Sequence, residues 1–168
     1  MNKTEQLILF STIFNQNPVD DSETVFFKNL KHDDMLKDIV VFLNNYEMKK
    51  HFNLKIDIIQ SLNDHGVDII ITTNQLKIGI QLKSNFDVCS SDFATKLKAQ
   101  LSDSLAHDLD KLYILLCCDL NEKSTRYKVS SIISQISMYK SNYPVIYSPN
   151  ICYSYFNISN LIKIEEIN

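Results

Sequence analysis

Asp68, Gln81 and Lys83 are the residues of this chain whose types and spacing best suit chemistry on a phosphodiester. They would provide a carboxylate, an amide oxygen and an ammonium group, a combination that suits a divalent cation and a phosphate. The three residues lie in two runs of apolar and β-branched residues, 67–72 and 76–83. This pattern predicts the two strands of a β-hairpin.

The turn between these strands decides whether the three side chains meet. If residues 74–75 are its two central residues, the antiparallel register places Asp68 directly opposite Gln81. Strand alternation then puts Gln81 and Lys83 on one face of the sheet, with Gly79, which has no side chain, beside them. We therefore expect the carboxylate, the amide and the ammonium to converge at one end of one sheet face.

The sequence around these residues resembles the PD-(D/E)xK core of restriction-endonuclease-like nucleases. Gly66-Val67-Asp68 matches the first part of that motif, and Ile80-Gln81-Leu82-Lys83 matches the second part. Gln81 stands in the place of the middle acid, as in the Mrr-like variants of the superfamily. The resemblance covers roughly residues 33–120.

The resemblance implies a metal site and assigns a role to each residue of the motif. Asp68, Gln81 and the backbone carbonyl of Leu82 would bind Mg²⁺, for which Mn²⁺ can substitute. Lys83 would orient the attacking water or stabilise the negative charge that develops on the phosphate. The predicted activity is hydrolysis of phosphodiester bonds by a metal-dependent nuclease.

A further acid is expected near the site, because Gln81 removes one negative charge from the usual set. Members of the superfamily often carry a glutamate on the first core helix, and Asp38 is the best-placed match here. We therefore predict Asp38 as a fourth catalytic residue and metal ligand, with Asp34 as the alternative. Aspartate has a shorter side chain than glutamate. Whether the Asp38 carboxylate reaches the metal site therefore decides between Asp38 and Asp34.

Two other residues have both a functional and a structural interpretation. Gln100, on the helix that follows the hairpin, either faces the site or lies on the surface. His65 is either a general base in the same turn as Asp68 or an exposed loop residue. The four cysteines form neither a CxxC pair nor a Cys/His zinc spacing, so they are interpreted as reduced thiols.

The elements that must position these residues follow from hydrophobic spacing. Two helices are predicted before the first core helix, over 4–15 and 23–30. The core helix begins after Asp33 or Asp34 and runs to about residue 52. The remaining predicted elements are a strand at 54–62, the hairpin, a helix at 93–105, a strand at 109–118 covered on both faces, a helix at 129–139, and short strands at 145–147 and 151–156.

This order predicts an α/β fold, a three-layer α/β/α sandwich around a central mixed β-sheet, which is also what the resemblance implies. The chain of 168 residues is predicted to be one domain. Within it, 1–31 would be an N-terminal helical extension, 33–120 the nuclease-like core, and 121–168 a C-terminal helix with short strands. No apolar run is long enough to span a membrane and no secretory signal is apparent, so a cytoplasmic location is expected.

Charge and composition restrict the partners. The net charge is −3 and the chain has a single arginine, Arg126, which disfavours bidentate readout of guanine. We expect a nucleic-acid substrate, DNA rather than RNA, recognised without strong sequence specificity. We expect a homodimer, because two sites most simply cut two strands. A partner protein could supply the target recognition for which one small domain has no separate module. Restriction or antiphage defence is the role that the resemblance implies.

Two alternatives to an active nuclease remain open at this point. One is a catalytically inactive domain of the same fold that acts as a nucleic-acid-binding or protein-interaction subunit. The other is an unrelated α/β ligand-binding domain in which the D…QxK pattern is accidental.

Overall fold

The computed structural model describes residues 1–14, 31–44, 53–59, 66–116 and 144–147, together with 127, 128, 130, 131 and 134. In chain order, the elements are α1 (Lys3–Phe14), α2 (His32–Leu43), β1 (Lys55–Ile58), β2 (Ile69–Thr72), β3 (Lys77–Lys83), α3 (Asn85–Cys89), α4 (Phe93–Ser104), a 3₁₀ turn (Leu105–His107), β4 (Lys111–Leu116) and β5 (Pro144–Tyr147). The predicted helix at 23–30 and the predicted strand at 151–156 lie outside the described residues.

The five strands form one mixed sheet in the order β1-β2-β3-β4-β5. Strand β2 runs antiparallel to both β1 and β3, whereas β4 runs parallel to β3 and β5 runs parallel to β4. A parallel pair requires a long crossover connection, and α3 and α4 provide it between β3 and β4. The predicted α/β fold with a mixed sheet is therefore confirmed.

Apolar side chains on the two faces of the sheet form two separate clusters. In β4, Tyr113 and Leu115 belong to the first cluster, while Leu112, Ile114 and Leu116 belong to the second. Helices α1 and α2 contribute to the first cluster, and α3 and α4 contribute to the second. The prediction that this strand is covered on both faces is thus confirmed, which explains its nearly continuous hydrophobic sequence.

The first core helix has the apolar stripe that its sequence predicts. Met35, Ile39 and Leu43 recur every fourth residue and are almost completely buried. The helix begins at His32, slightly before the predicted start, and the structure describes it as far as Leu43. Among the described residues, no helix combines the length and the apolar character needed to cross a membrane.

The short helix α3 was not predicted, although its start signal is present in the sequence. The Ser84 hydroxyl accepts a hydrogen bond from the Asp87 N–H at 3.2 Å, and the Asp87 carboxylate accepts one from the Ser84 N–H at 2.7 Å. This reciprocal arrangement is a capping box. It turns the chain immediately after Lys83 and so ends β3 at that residue.

Candidate active site at the end of the hairpin

The hairpin has the predicted register. Ile69 pairs with Ile80 and Thr72 pairs with Lys77, and the turn is closed by a 2.9 Å bond from the Thr73 N–H to the Leu76 carbonyl. The pairing continues one residue beyond β2, because the Asp68 N–H donates to the Ile80 carbonyl at 2.9 Å. Asp68 therefore lies opposite Gln81, as the turn length indicated.

The Asp68 carboxylate replaces a backbone partner at the end of β3. Strand β2 begins at Ile69 and does not extend far enough to pair with the N–H of Leu82. Asp68 Oδ2 accepts that N–H at 2.6 Å instead. The Asp68 side chain is only 13% exposed. Its orientation is therefore set by the strand that also carries Gln81 and Lys83.

His32, at the start of α2, holds the other oxygen of the same carboxylate. Its Nε2 lies 3.1 Å from Asp68 Oδ1. The pKa of His32 is raised above the usual 6.5, mainly by the hydrogen bond to Asp68, with burial of the ring opposing this effect. The negative charges of Asp68 and Asp87 and a hydrogen bond to Asp33 raise the pKa further. Asp68 is thus the main cause of the raised pKa of His32.

Sequence reasoning missed His32, and no local signal marks it. It lies far from Asp68 in the chain and reaches it only because the start of α2 packs beside the end of the hairpin. The sequence predicted the helix start but not where that start lies relative to the sheet. His65, which the sequence offers as a general base, lies outside the described residues.

Gln81 and Lys83 meet on one face of β3, as predicted, and both contact Gln100 of α4. Gln81 Nε2 donates to Gln100 Oε1 at 2.9 Å, and Lys83 Nζ donates to the same oxygen at 2.6 Å. Gln100 therefore faces Gln81 and Lys83 and does not lie on the open surface. The Gln81 side chain is 1% exposed, and within the part of the chain that the structure describes its Oε1 has no hydrogen-bond donor.

Two glycines allow the close packing around these side chains. Gly66 has a positive φ of 70°, and a Cβ placed there would lie 2.2 Å from the backbone oxygen of Gln100. A Cβ on Gly79 would lie 2.5 Å from Leu109 Cδ1. Only glycine satisfies both the backbone conformation and the approach of α4 at position 66. The turn that leads into Asp68 is consequently held directly against the residue that binds Gln81 and Lys83.

Asp38 does not join this cluster through any contact that the structure describes. Its side chain is exposed on α2, and no hydrogen bond or ion pair among the described residues connects it with Asp68. Its pKa is raised, mainly by partial burial and then by the nearby charge of Asp34. Asp34, the alternative, is exposed as well. Near the Asp68 carboxylate, the first core helix provides His32 rather than an acid.

The donor atoms present are compatible with a hard divalent cation. A buried amide oxygen without a donor is costly, and a cation would satisfy it. Asp68 would add a carboxylate, and Mg²⁺ is commonly held by only one or two carboxylates while it keeps several waters. Across the described residues, no group of three or more His, Cys, Asp or Glu side chains has a metal-binding arrangement. Any cation here would therefore be bound by few protein ligands.

No protein-family model, curated protein or solved structure matches this chain. The class that the fold defines is an α/β protein with a mixed sheet, in which the candidate site lies at the end of an antiparallel hairpin.

Proposed function

We propose that this protein is a Mg²⁺-dependent nuclease of the restriction-endonuclease-like class, with DNA as its preferred substrate. The observation that carries the proposal is the hairpin register, which sets Asp68 opposite Gln81 at the end of the hairpin where Gln81 and Lys83 both bind Gln100. Mn²⁺ would substitute for Mg²⁺. The residues that would hold the cation are Asp68 and Gln81, with the carbonyl of Leu82 as the backbone ligand expected by resemblance.

The element order also supports this proposal. From α2 to β4 the chain has one helix, three antiparallel strands, the crossover helices and a parallel strand. Helices contribute to the apolar clusters on both faces of the sheet, as a three-layer α/β/α sandwich requires. The resemblance predicts this arrangement and places the acid and the lysine on the hairpin strands, where Asp68 and Lys83 lie.

The chain's own residues would position and polarise the substrate. Asp68 is held by the Leu82 N–H and by His32, so its carboxylate is already oriented before a cation binds. Lys83 provides a positive charge on the same strand face as the Gln81 oxygen, where it stabilises charge that develops on a phosphate. When bound, Mg²⁺ would supply Lewis-acid polarisation of the phosphate and a water of lowered pKa.

The proposal extends to partners and location as the sequence predicts them. Two copies of the domain, each with one site, would cut the two strands of a duplex, so we propose a homodimer, with or without a partner protein for target recognition. A role in restriction or antiphage defence in the cytoplasm is proposed as the resemblance and the sequence predict it.

One observation favours an alternative, a catalytically inactive domain of the same fold that binds nucleic acid or another protein. Both oxygens of Asp68 already have protein partners, His32 and Leu82. Asp38 does not supply a second acid, and Gln81 is neutral. An inactive domain would keep these contacts for stability and use Lys83 for phosphate binding alone.

A cleavage assay separates the two functions. Purified protein is incubated with supercoiled plasmid, linear duplex, single-stranded DNA and RNA, each with Mg²⁺, Mn²⁺ or EDTA. The active-site variants are Asp68→Asn and Lys83→Met. Their matched controls are Asp57→Asn and Lys55→Met, because these two residues form an exposed pair with each other at 2.9 Å on β1.

Metal-dependent cleavage that both active-site variants abolish and both controls retain would support the nuclease. Cleavage that persists undiminished in Asp68→Asn and Lys83→Met would show that the proposed site is wrong. DNA binding without cleavage in the wild type, weakened by Lys83→Met, would favour the inactive domain instead.

A further inference from the structure

The amide of Gln81 combines almost complete burial with an incomplete set of hydrogen bonds. Its nitrogen donates to Gln100, while its Oε1 accepts nothing from the described residues. Buried polar atoms are nearly always satisfied, and an exception calls for an ion, a water or a functional role as its explanation. The orientation of this amide therefore decides whether an oxygen or an NH₂ group is presented to the site.

Lys83 determines that orientation through Gln100. An ammonium group can only donate hydrogen bonds, so the Gln100 atom 2.6 Å from Lys83 Nζ must be the oxygen, Oε1. The same Oε1 lies 2.9 Å from the Gln81 amide, and an oxygen without a hydrogen can only accept. The Gln81 atom that faces Gln100 must then be the NH₂ group. Its oxygen is consequently the end that has no donor.

We infer that Gln100 is a positioning residue that, with Lys83, holds the Gln81 amide with its oxygen available to a divalent cation. This inference rests on the proposed metal site and explains how a glutamine can serve in the place of the usual acid. An amide rotates about its terminal bond at little cost, so without an acceptor at Gln100 it would present NH₂ or oxygen in turn. Only the oxygen can bind a cation.

The backbone of Gln100 is positioned as firmly as its side chain. A Cβ at Gly66 would overlap the Gln100 carbonyl, so α4 contacts the turn that leads directly to Asp68. Gln100 thus contacts the turn before Asp68 and the side chains of both Gln81 and Lys83. Residues that orient metal ligands in this way typically change metal affinity or activity by about 10- to 100-fold when they are replaced.

The test measures Mn²⁺ binding to the full-length protein by calorimetry. Gln100→Met keeps the length of the side chain but removes the acceptor, whereas Gln100→Glu keeps an acceptor for both donors. Gln75→Met in the exposed hairpin turn is the matched control. We expect Gln100→Met to weaken Mn²⁺ binding by about 10-fold or more, and Gln100→Glu and Gln75→Met to bind at least as tightly as the wild type.

A second measurement detects the orientation of the Gln81 amide in the absence of any cation. In a ¹H–¹⁵N spectrum of the folded protein, the side-chain NH₂ signals of Gln81 should be shifted and slow to exchange in the wild type. We expect both properties to be lost in Gln100→Met and kept in Gln100→Glu. A purely structural role for Gln100 would change the free energy of unfolding in both variants alike.

Each outcome bears on one proposal or on both. Equal Mn²⁺ affinity in Gln100→Met and the wild type would overturn the positioning role, as would equally weak binding by Gln100→Met and Gln100→Glu. A wild-type protein that binds Mn²⁺ but cleaves no nucleic acid would overturn the nuclease and leave the positioning role supported. A wild type that binds no Mn²⁺ would overturn both.

Discussion

His32 Nε2 lies 3.1 Å from Asp68 Oδ1, so the start of a helix on one side of the sheet holds the carboxylate immediately before β2. The contact joins two elements that the chain separates by a long segment, and it fixes one oxygen of the central acid of the site. The other oxygen is fixed by the N–H of Leu82 at 2.6 Å. Two separate elements therefore hold this carboxylate in one orientation.

The contact between His32 and Asp68 should make stability depend on pH in a defined direction. The folded-state pKa of His32 is raised, so the folded protein holds this proton more tightly than the unfolded chain does. The stabilisation is fully present below about pH 6.5, the pKa of an unfolded histidine, and is lost as the pH rises through the folded-state pKa. Denaturant unfolding of wild type and His32→Gln from pH 5.5 to 8.5 measures this loss.

The difference between the two proteins should shrink toward alkaline pH. Because the His32 side chain is 35% exposed, solvent screens the interaction and we expect a change of about 1 kcal/mol or less. The Asp68→Asn background is the control, since the pH-dependent difference should shrink there to the part that Asp33 and Asp87 contribute. A difference that grows as the pH rises would contradict the assigned pairing.

Asp68→Asn should remove metal-dependent activity and leave the hairpin intact. Asparagine keeps an oxygen that can accept the Leu82 N–H, but it loses the charge that binds a cation and pairs with His32. We expect cleavage to fall by about 100-fold or more, since even residues that only orient metal ligands cost about 10- to 100-fold. Asp57→Asn, on the neighbouring strand, should cleave as the wild type does. Loss of cooperative unfolding in Asp68→Asn would mean that the residue serves the fold instead.

The hairpin and its register could be predicted because they depend on local information. Alternating β-branched residues define the strands, and the two central turn residues determine which residues oppose each other. Once Asn74 and Gln75 occupy the turn, Asp68 must lie opposite Gln81 and Lys83 must share the face of Gln81. Strand β4 could be predicted as well, because a strand buried on both faces has a continuous apolar sequence.

The partners that complete the site depend on tertiary packing and could not be predicted in the same way. His32 and Asp38 both lie on α2, and which of them approaches Asp68 depends on where the helix starts relative to the sheet. The buried stripe of Met35, Ile39 and Leu43 fixes the rotation of α2 and leaves Asp38 exposed. The side-chain pattern predicted this stripe, but the position of the helix along the sheet is not encoded locally.

Gly66→Ala should destabilise the protein more than Gly79→Ala. At position 66 the new methyl group would meet a backbone carbonyl at 2.2 Å, and the positive φ would be strained as well. Left-handed backbone costs about 1–2 kcal/mol and overpacking adds about 1–3 kcal/mol, so we expect a total loss of about 2–5 kcal/mol. Chemical denaturation of both variants measures the difference.

Gly79→Ala is the matched control because its new methyl group meets the end of a flexible side chain, Leu109 Cδ1 at 2.5 Å. Rotation of Leu109 can relieve part of that overlap. We therefore expect Gly79→Ala to lose about 1 kcal/mol of unfolding free energy, the low end for overpacking. Gly66→Ala should also weaken Mn²⁺ binding, because it displaces the Gln100 backbone. Equal stability of the two variants would contradict the close approach of α4 to the turn.

Gln81→Glu should lower the stability of the metal-free protein and raise its affinity for a divalent cation. A glutamate at this buried position would turn one carboxylate oxygen toward Gln100 Oε1, an acceptor, so the favourable contact of the amide is lost. Lys83 offsets part of the added charge. Without metal we expect the variant to lose about 1–3 kcal/mol of unfolding free energy, the typical cost of an unsatisfied buried group. Thermal unfolding at neutral pH measures this loss.

Mn²⁺ should reverse that loss, because a ligand that binds only the folded state stabilises it by mass action. The additional negative charge should make Gln81→Glu bind Mn²⁺ more tightly than the wild type, and Gln81→Met, which has no oxygen, should bind it more weakly. Thermal unfolding of the three proteins across a Mn²⁺ titration tests this order directly. If Gln81→Glu gained no more stability from Mn²⁺ than Gln81→Met, the Gln81 oxygen would not face a cation site. The buried Oε1 would then need another donor.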